Sequence, residues 1–271
     1  MSDAPIGIFD SGIGGLTVMR ALVARLPNEE FVYLGDTARL PYGTKSGDTV
    51  TRYAVQAAGA LMKRNVKMLV VACNTASAVA LPALQEMFAP VPVVGVIAPG
   101  AEAAVAAAPE GPIAIIATEG TVKGGAYVRA IEDHGRSIPV IQQACSLFVS
   151  IAEEGLLDGE IAEAIAHRYL DPLLASMPKP KALVLGCTHF PALKNTIAKV
   201  AGPDIKLVDS AETTAKAVEK ILRERNIARA VSTKLSHVFL ATDAPDRFAR
   251  VGEIFLGQPI DPGKVELVDL Q

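Results

Sequence analysis

Short apolar runs alternate with longer amphipathic segments along most of the chain. The runs are rich in β-branched residues, which is typical of the buried strands of parallel sheets. They lie at residues 6–9, 31–34, 68–72, 93–97, 113–117, 138–141, 182–185 and 206–208, with two more at 237–240 and 265–268. The segments between them carry apolar residues at three-and-four spacing, which predicts helices at residues 14–26, 48–65, 77–88, 121–134, 160–176, 211–225 and 245–256. This alternation predicts an α/β fold with mainly parallel sheets flanked by helices.

Two parts of the chain resemble each other. Residues 68–75 and 181–188 each consist of an apolar run that leads into a cysteine and a threonine. A second pair, residues 6–10 and 113–117, is offset by a similar number of residues. Any two buried strands share valine and leucine, so chance is one explanation, but the matching cysteine corners favour duplication. We therefore expect two pseudo-symmetric α/β domains, residues 1–97 with 211–271 and residues 98–210.

The composition agrees with such a fold. A chain of 271 residues is long enough for two domains with cores of their own. Half of the residues are hydrophobic, aromatic residues make up only 5% and tryptophan is absent, so the cores must consist of aliphatic side chains. The net charge of −3 is spread along the chain without a basic stripe, which argues against a nucleic-acid partner and favours a small ligand.

The sequence also bears on the cellular compartment and on metal binding. The chain does not start like a signal peptide, and the alanine-rich stretch 95–108 is interrupted by Pro99 and Glu102. We expect no membrane association and a cytoplasmic location. Three cysteines without a CxxC pair predict reduced thiols, and no set of histidine, cysteine and acidic residues has the spacing of metal ligands. No metal is therefore expected.

Candidate functional residues follow the predicted strands, because ligands of open parallel sheets bind at the carboxyl ends of the strands. Five such corners stand out: residues 10–12, 35–37 with 41–43, 73–75, 118–120 and 187–189. If the two domains face each other, Cys73 and Cys187 can reach one cleft from opposite sides. We therefore predict an active site in the cleft between the domains.

The two cysteines have polar neighbours at turns from strand to helix. A helix N-terminus or a nearby imidazole stabilises a thiolate, so both positions predict thiols of lowered pKa. A single buried cysteine is more often simple packing, but two at equivalent corners favour function. Cys145, which has no such counterpart, is interpreted as structural. Two opposed bases suit the inversion of a stereocentre, in which one group removes a proton and the other delivers one.

Two other thiol chemistries are less suitable. A cysteine hydrolase would leave the second cysteine unexplained, and redox exchange would need the two sulfurs at disulfide distance. Asp10, His189 and Glu153 are candidate auxiliary groups. Each also has a plainer interpretation: Asp10 as a helix cap, His189 as a core histidine and Glu153 as part of a solvated helix end. The glycine-rich turn 10–15 can bind phosphate or carboxylate, but it is neither a Walker A motif nor GxGxxG.

Five stretches together resemble the glutamate racemase family of the aspartate/glutamate racemase superfamily. They are residues 6–15 (IGIFDSGIGG), 33–43 (YLGDTARLPYG), 71–77 (VACNTAS), 95–100 (GVIAPG) and 185–191 (LGCTHFP). They follow one another in the family's order up to about residue 209. The chain departs from the family's pattern at Ser146 and Ser150, where prolines are expected, and at Ala117, where the family has glycine.

The resemblance implies a function and a set of site residues. It implies interconversion of L- and D-glutamate without pyridoxal phosphate or metal, a supply of D-glutamate for peptidoglycan, and a homodimer. Cys73 would act on the D-enantiomer and Cys187 on the L-enantiomer, with Asp10, Glu153 and His189 as auxiliaries. The implied substrate-binding residues are Asp10, Ser11, Tyr42, Gly43, Asn74, Thr75, Thr188 and His189, and Thr118 and Thr121 are further candidates. Two alternatives stay open: a racemase or decarboxylase of the superfamily with another substrate such as aspartate, and a non-catalytic two-lobed binding module.

Overall fold

The computed structural model describes residues 2–135, 137–231 and 235–270. Within these ranges the strands are β1 (Ile6–Asp10), β2 (Phe31–Gly35), β3 (Met68–Val71), β4 (Val93–Gly95), β5 (Ile113–Ala117), β6 (Val140–Ala144), β7 (Ala182–Gly186), β8 (Lys206–Asp209), β9 (Val238–Ala241) and β10 (Val265–Leu267). The helices are α1 (Leu16–Arg25), α2 (Gly47–Met62), α3 (Asn74–Val79), α4 (Leu81–Met87), α5 (Ile97–Ala107), α6 (Glu119–Gly124), α7 (Ala126–Glu132), α8 (Ser146–Glu153), α9 (Gly159–Leu174), α10 (Lys194–Ala201), α11 (Ser210–Glu224) and α12 (Pro245–Leu256). The predicted domain ranges also contain residues 1, 136, 232–234 and 271, which lie outside the described residues.

The strands form two parallel sheets. The first sheet has the order β10-β9-β2-β1-β3-β4, and the second has the order β6-β5-β7-β8. In β2-β1-β3-β4 and in the whole second sheet, the strands follow the same order relative to the chain: second, first, third, fourth. Cys73 after β3 and Cys187 after β7 therefore follow equivalent strands. The predicted α/β class with two mainly parallel, helix-flanked sheets is confirmed.

Burial explains which runs became strands. Every residue of β1, β2, β3, β5 and β7 is buried, as expected for central strands covered by helices on both faces. The edge strand β6 is only half-buried, and it begins at Val140 rather than at the predicted residue 138. Pro139 lacks an N–H group for the ladder and contributes only its carbonyl, which accepts from Ile113 N at 2.9 Å.

The sequence pattern predicted only some of the helices. Three helices, α5, α8 and α10, were not predicted, and the strand predicted at 93–97 ends at Gly95 because α5 begins at Ile97. Pro99 lies in the first turn of α5, where proline is tolerated. Two predicted helices are each divided. Residues 77–88 belong to α3 and α4, and residues 121–134 are divided into α6 and α7 at Gly125, whose φ is +59°.

The tail of the chain returns to the first sheet. β9 pairs with β2 and β10 with β9, so that sheet takes its strands from residues 6–95 and 238–267, whereas the second takes them from 113–209. Helix α11, which follows β8, packs against α1 and α5. The division into domains at residues 97 and 211 stays a prediction. None of the helices in the described ranges is both long and apolar enough to cross a membrane.

Candidate active site

The first cysteine corner lies between β3 and α3. Cys73 is the N-cap of α3, and its sulfur accepts the backbone N–H of Ala76 at 3.5 Å. The thiol also donates to Ser11 Oγ at 3.5 Å. Only 5% of Cys73 is exposed. The structure therefore brings Ser11, an expected substrate-binding residue, next to Cys73.

Asp10 ends β1 and is completely buried beside this corner. Its Oδ2 accepts the backbone N–H groups of Gly12 at 3.0 Å and Gly15 at 3.1 Å, so it ties down the turn that leads into α1. The plainer interpretation of Asp10 as a group that holds a helix start thus describes one of its oxygens. The other oxygen, Oδ1, has no hydrogen-bond partner among the described residues. One acceptor of a buried carboxylate is therefore free for a ligand.

The second cysteine corner has different backbone geometry. Cys187 follows β7, and the chain then forms a 3₁₀ turn (Phe190–Leu193) before α10. The predicted turn from strand to helix at Cys187 thus begins as a 3₁₀ turn, in which Phe190 N donates to Cys187 O, and Cys187 is not the N-cap of an α-helix. The sulfur lies 3.8 Å from His189 Nδ1, and Cys187 is also 5% exposed.

A line of charged groups extends from Cys187 towards the surface. His189 Nε2 lies 3.1 Å from Glu153 Oε1, and Glu153 Oε2 accepts from Arg247 at 2.9 Å. Glu153 comes from the end of α8 and Arg247 from α12, which belongs to the tail. Glu153 is therefore not an ordinary solvated helix end. Arg247 was not identified from the sequence, because a single arginine in an amphipathic helix carries no signal of a contact so distant along the chain.

The two cysteine corners differ in the pKa shifts of their side chains. Burial and the nearby Asp10 carboxylate raise the pKa of the Cys73 thiol to about 12. The sequence-based prediction that its position at a helix start would lower this pKa is wrong, because burial outweighs the hydrogen bonds from Ala76 and Ser11. Burial alone would lower the pKa of His189, but Cys187, Glu153 and Asp10 raise it to about 10. An imidazolium can donate to both of its neighbours, Cys187 and Glu153.

The pKa of Glu153 is also shifted. Burial would raise it, but the hydrogen bonds and charges of His189 and Arg247 prevail and hold it below its usual value. Glu153 therefore stays ionised at neutral pH. A carboxylate at this point favours the protonated form of His189.

Two structural links join the corners. The turn after β1 contacts both of them: Ser11 meets Cys73, and Gly14 lies against the His189 ring, where an added Cβ would be 2.3 Å from Nδ1. Tyr127 provides the second link, since its hydroxyl bonds to Asn74 Nδ2 at 2.9 Å and its ring packs against Gly186. Asn74 directly follows Cys73, and Gly186 directly precedes Cys187.

Other predicted residues form a wall beside the first corner. Thr75 Oγ1 lies 3.0 Å from Thr118 Oγ1, which in turn lies 3.0 Å from Thr121 Oγ1. Gly43 packs against Thr118, where an added Cβ would be 3.0 Å from the threonine Cβ. The structure thus brings together Gly43 and the three threonines.

Two further predicted residues are engaged in other ways. The Tyr42 hydroxyl donates to the buried Asp36 carboxylate, so this hydroxyl anchors the loop between β2 and α2. Thr242 Oγ1 and Arg39 Nε also donate to Asp36, at 3.0 and 2.7 Å. The backbone carbonyl of Thr188 accepts from Thr17 Oγ1 at 2.8 Å. Asp36 lies in one of the five predicted corners, although no role was predicted for it, whereas Tyr127 lies outside these corners.

The next feature is the potential of the side chains to bind a metal ion. Across residues 2–135, 137–231 and 235–270, no group of three or more histidine, cysteine, aspartate and glutamate side chains is arranged to hold a metal ion. The three cysteines are free thiols. The arrangement of side chains can take up and deliver protons at two separate points.

Known proteins share this fold and sequence. The sequence model of the Asp/Glu/Hydantoin racemase family matches residues 6–218. A glutamate racemase of Geobacter metallireducens is 49% identical over 266 residues, which cover 98% of this chain and 97% of the relative. The crystal structure of a Francisella tularensis glutamate racemase in complex with D-glutamate matches with a TM-score of 0.91 at 38% identity, covering 100% of this chain and 99% of that one. A glutamate racemase of Thermus thermophilus, in complex with β-chloro-D-alanine, matches with a TM-score of 0.88 at 42% identity, covering 100% and 99% of the two chains.

The chain therefore belongs to the Asp/Glu/Hydantoin racemase family and is an isomerase. Within that family it groups with the glutamate racemases, to which it is similar over nearly its whole length. The resemblance inferred from the five sequence stretches is thereby confirmed.

Proposed function

We propose that the chain interconverts L- and D-glutamate by proton transfer at Cα between two opposed thiols. Cys187 serves the L-enantiomer and Cys73 the D-enantiomer, with Asp10, His189 and Glu153 as auxiliary groups. The observation that carries this proposal is the contrast between the two corners: one thiol is held in its protonated form, whereas the other adjoins a histidine of raised pKa. A proton donor opposite a proton acceptor is what stereoinversion requires.

The proton balance is simple in this scheme. With L-glutamate bound, the Cys187 thiolate takes the α-proton, and the electron pair of the broken Cα–H bond stays on the substrate as a carbanion delocalised into the carboxylate. Cys73 then delivers its proton to the opposite face. Cys187 ends as a thiol and Cys73 as a thiolate, which is the starting state for D-glutamate.

Substrate binding is supported by two buried acceptors. Asp10 Oδ1 and Asn74 Oδ1 both lack hydrogen-bond donors in the structure, and a buried acceptor without a donor costs about 1–3 kcal/mol. An α-ammonium group supplies three N–H donors. We propose that it binds these oxygens, and that Ser11, Gly43, Thr75, Thr188 and the backbone at Tyr42 hold the two carboxylates. Glutamate is proposed as the substrate because the similar proteins are named glutamate racemases.

The deciding experiment is a racemisation assay without added cofactor or metal. Each enantiomer of glutamate and aspartate is incubated with the purified protein in deuterated water, and optical rotation and ¹H NMR are recorded. Both glutamate enantiomers should lose rotation, and the product should carry deuterium at Cα, because thiol protons exchange with solvent. Racemisation of aspartate but not glutamate would support the superfamily alternative. Binding without turnover would support the non-catalytic module.

The wider role is also a proposal. We propose that the enzyme needs no cofactor, acts in the cytoplasm as a homodimer, and supplies D-glutamate for peptidoglycan. Complementation of a bacterial strain that requires D-glutamate would test this role, and light scattering of the purified protein would test the dimer. A monomeric active enzyme would contradict the dimer but not the chemistry.

A further inference from the structure

We propose that Tyr127 is a positioning residue, which holds the two cysteine corners at a fixed separation and directs the Asn74 carbonyl towards the substrate. The inference rests on the proposed function and adds a residue from outside the five stretches of family resemblance. Tyr127 lies in α7, between the two corners, and is completely buried.

The hydroxyl of Tyr127 meets the first corner. It lies 2.9 Å from Asn74 Nδ2, and Asn74 is the residue directly after Cys73. Burial and the nearby Cys187 raise the pKa of Tyr127, so the hydroxyl stays neutral at physiological pH. A neutral hydroxyl oxygen is a suitable acceptor for the amide N–H of Asn74.

The ring of Tyr127 meets the second corner. A Cβ added at Gly186 would lie 3.1 Å from Tyr127 Cε2, and Gly186 directly precedes Cys187. On another side, a Cβ added at Gly100 of α5 would lie 3.3 Å from the ring and from the hydroxyl. Two glycines thus let the backbone approach the ring closely, and the side chain is held between α5, β7 and α3.

The bond to Tyr127 engages the amide nitrogen of Asn74. Since Nδ2 is engaged, Oδ1 is the end without a partner, although Asn74 is only 2% exposed. If the amide were free to rotate, its N–H groups would face a substrate ammonium and repel it. Tyr127 therefore acts on the substrate through Asn74, without touching the substrate itself.

The test compares two tyrosine-to-phenylalanine variants. Tyr127→Phe removes the hydroxyl that holds Asn74. Tyr169→Phe is the matched control, because the Tyr169 hydroxyl also accepts one hydrogen bond, at 3.2 Å, but from Leu147 N rather than from a residue of either corner. We expect kcat/KM for glutamate to fall roughly tenfold in Tyr127→Phe, as for loss of one buried hydrogen bond, and to stay near wild type in Tyr169→Phe.

A double-mutant cycle distinguishes positioning from simple stabilisation. If Tyr127 acts through Asn74, adding Tyr127→Phe to Asn74→Ala should cause no further loss of kcat/KM, whatever either variant does to Tm. Equal losses in both backgrounds would overturn the inference, and so would wild-type activity in Tyr127→Phe, while the proposed function would stand. A wild-type protein that fails to racemise glutamate would overturn both.

Discussion

The two cysteine corners have the same place in the fold but different surroundings. At the first, Cys73 caps an α-helix and is surrounded by a serine hydroxyl, backbone N–H groups and a buried carboxylate. At the second, Cys187 precedes a 3₁₀ turn and adjoins the charged series of His189, Glu153 and Arg247. Both sulfurs follow the third strand of a four-strand unit with the same order.

The difference shows which properties the backbone determines and which it leaves to side chains. Strand order brings each cysteine to the carboxyl end of its sheet. The pKa values of the side chains depend on neighbours from elsewhere in the chain, such as Asp10 for Cys73 and Glu153 for His189. A fold with internal symmetry can therefore place the same amino acid in two different electrostatic surroundings.

The strongest test of the comparison removes each thiol in turn. Cys73→Ala and Cys187→Ala should each lower racemisation of glutamate by about 10²–10⁴-fold, the usual contribution of a general acid or base. Cys145→Ala is the matched control, since this third thiol is buried and donates only to Gln143 O at 3.6 Å. Circular dichroism should show that all three variants fold. High turnover in either of the first two would contradict the two-thiol scheme.

A second test addresses only the charged groups beside Cys187, namely His189, Glu153 and Arg247. Glu153→Gln removes a group that raises the pKa of His189, so this pKa should fall and the alkaline limit of kcat should move to lower pH. We expect activity at the optimum to fall by roughly tenfold as well. The neighbouring exposed Glu154→Gln serves as control. A pH profile identical to wild type would show that Glu153 does not act through His189.

A third, smaller effect is expected at Arg247. Its bond to Glu153 is partly exposed, so Arg247→Gln should cost only roughly two- to fivefold in kcat, with a shift of the pH profile in the same direction as for Glu153→Gln. Arg247→Lys should restore most of the activity, because the charge remains. Arg250→Gln, on the same helix, should resemble wild type. Failure of lysine to restore activity would favour a packing role for Arg247.

The smallest expected effect concerns stability. The pKa of His189 in the folded protein is raised to about 10, above its ordinary value near 6.5, so its contribution to stability is complete below pH 6.5 and is lost as the pH rises through 10. The wild-type Tm should therefore fall between pH 7 and 10 by a few degrees more than that of His189→Gln, at about 2–4 °C per kcal/mol. Parallel Tm curves would show that His189 carries no such charge.

Much of the fold could be predicted because parallel strands in α/β proteins are continuous apolar runs. The exceptions have local causes. The short strand β4 gives way to α5, although residues 93–97 form one apolar run, and β6 begins only after Pro139, which cannot donate to the ladder. Gly125 divides one helical pattern in two through its positive φ, and sequence periodicity does not register such a change.

The site was predictable where function and sequence proximity coincide. Cys73 with Asn74, and Cys187 with His189, could be selected because each pair directly follows a strand. The pKa of Cys73 could not, since it depends on burial and on Asp10, which is distant in sequence. Arg247 and Tyr127 were missed for the same reason: their partners become visible only when the chain is folded.

The repeated strand order has a consequence for how such a site can evolve. In a dimer of identical small subunits, every substitution would alter both cysteine corners at once. Here the two corners are encoded separately within one chain, so that a histidine can be acquired beside one sulfur while the other keeps a serine. Because both halves lie in one chain, the surroundings of each cysteine can change independently, which is not possible in a dimer of identical subunits.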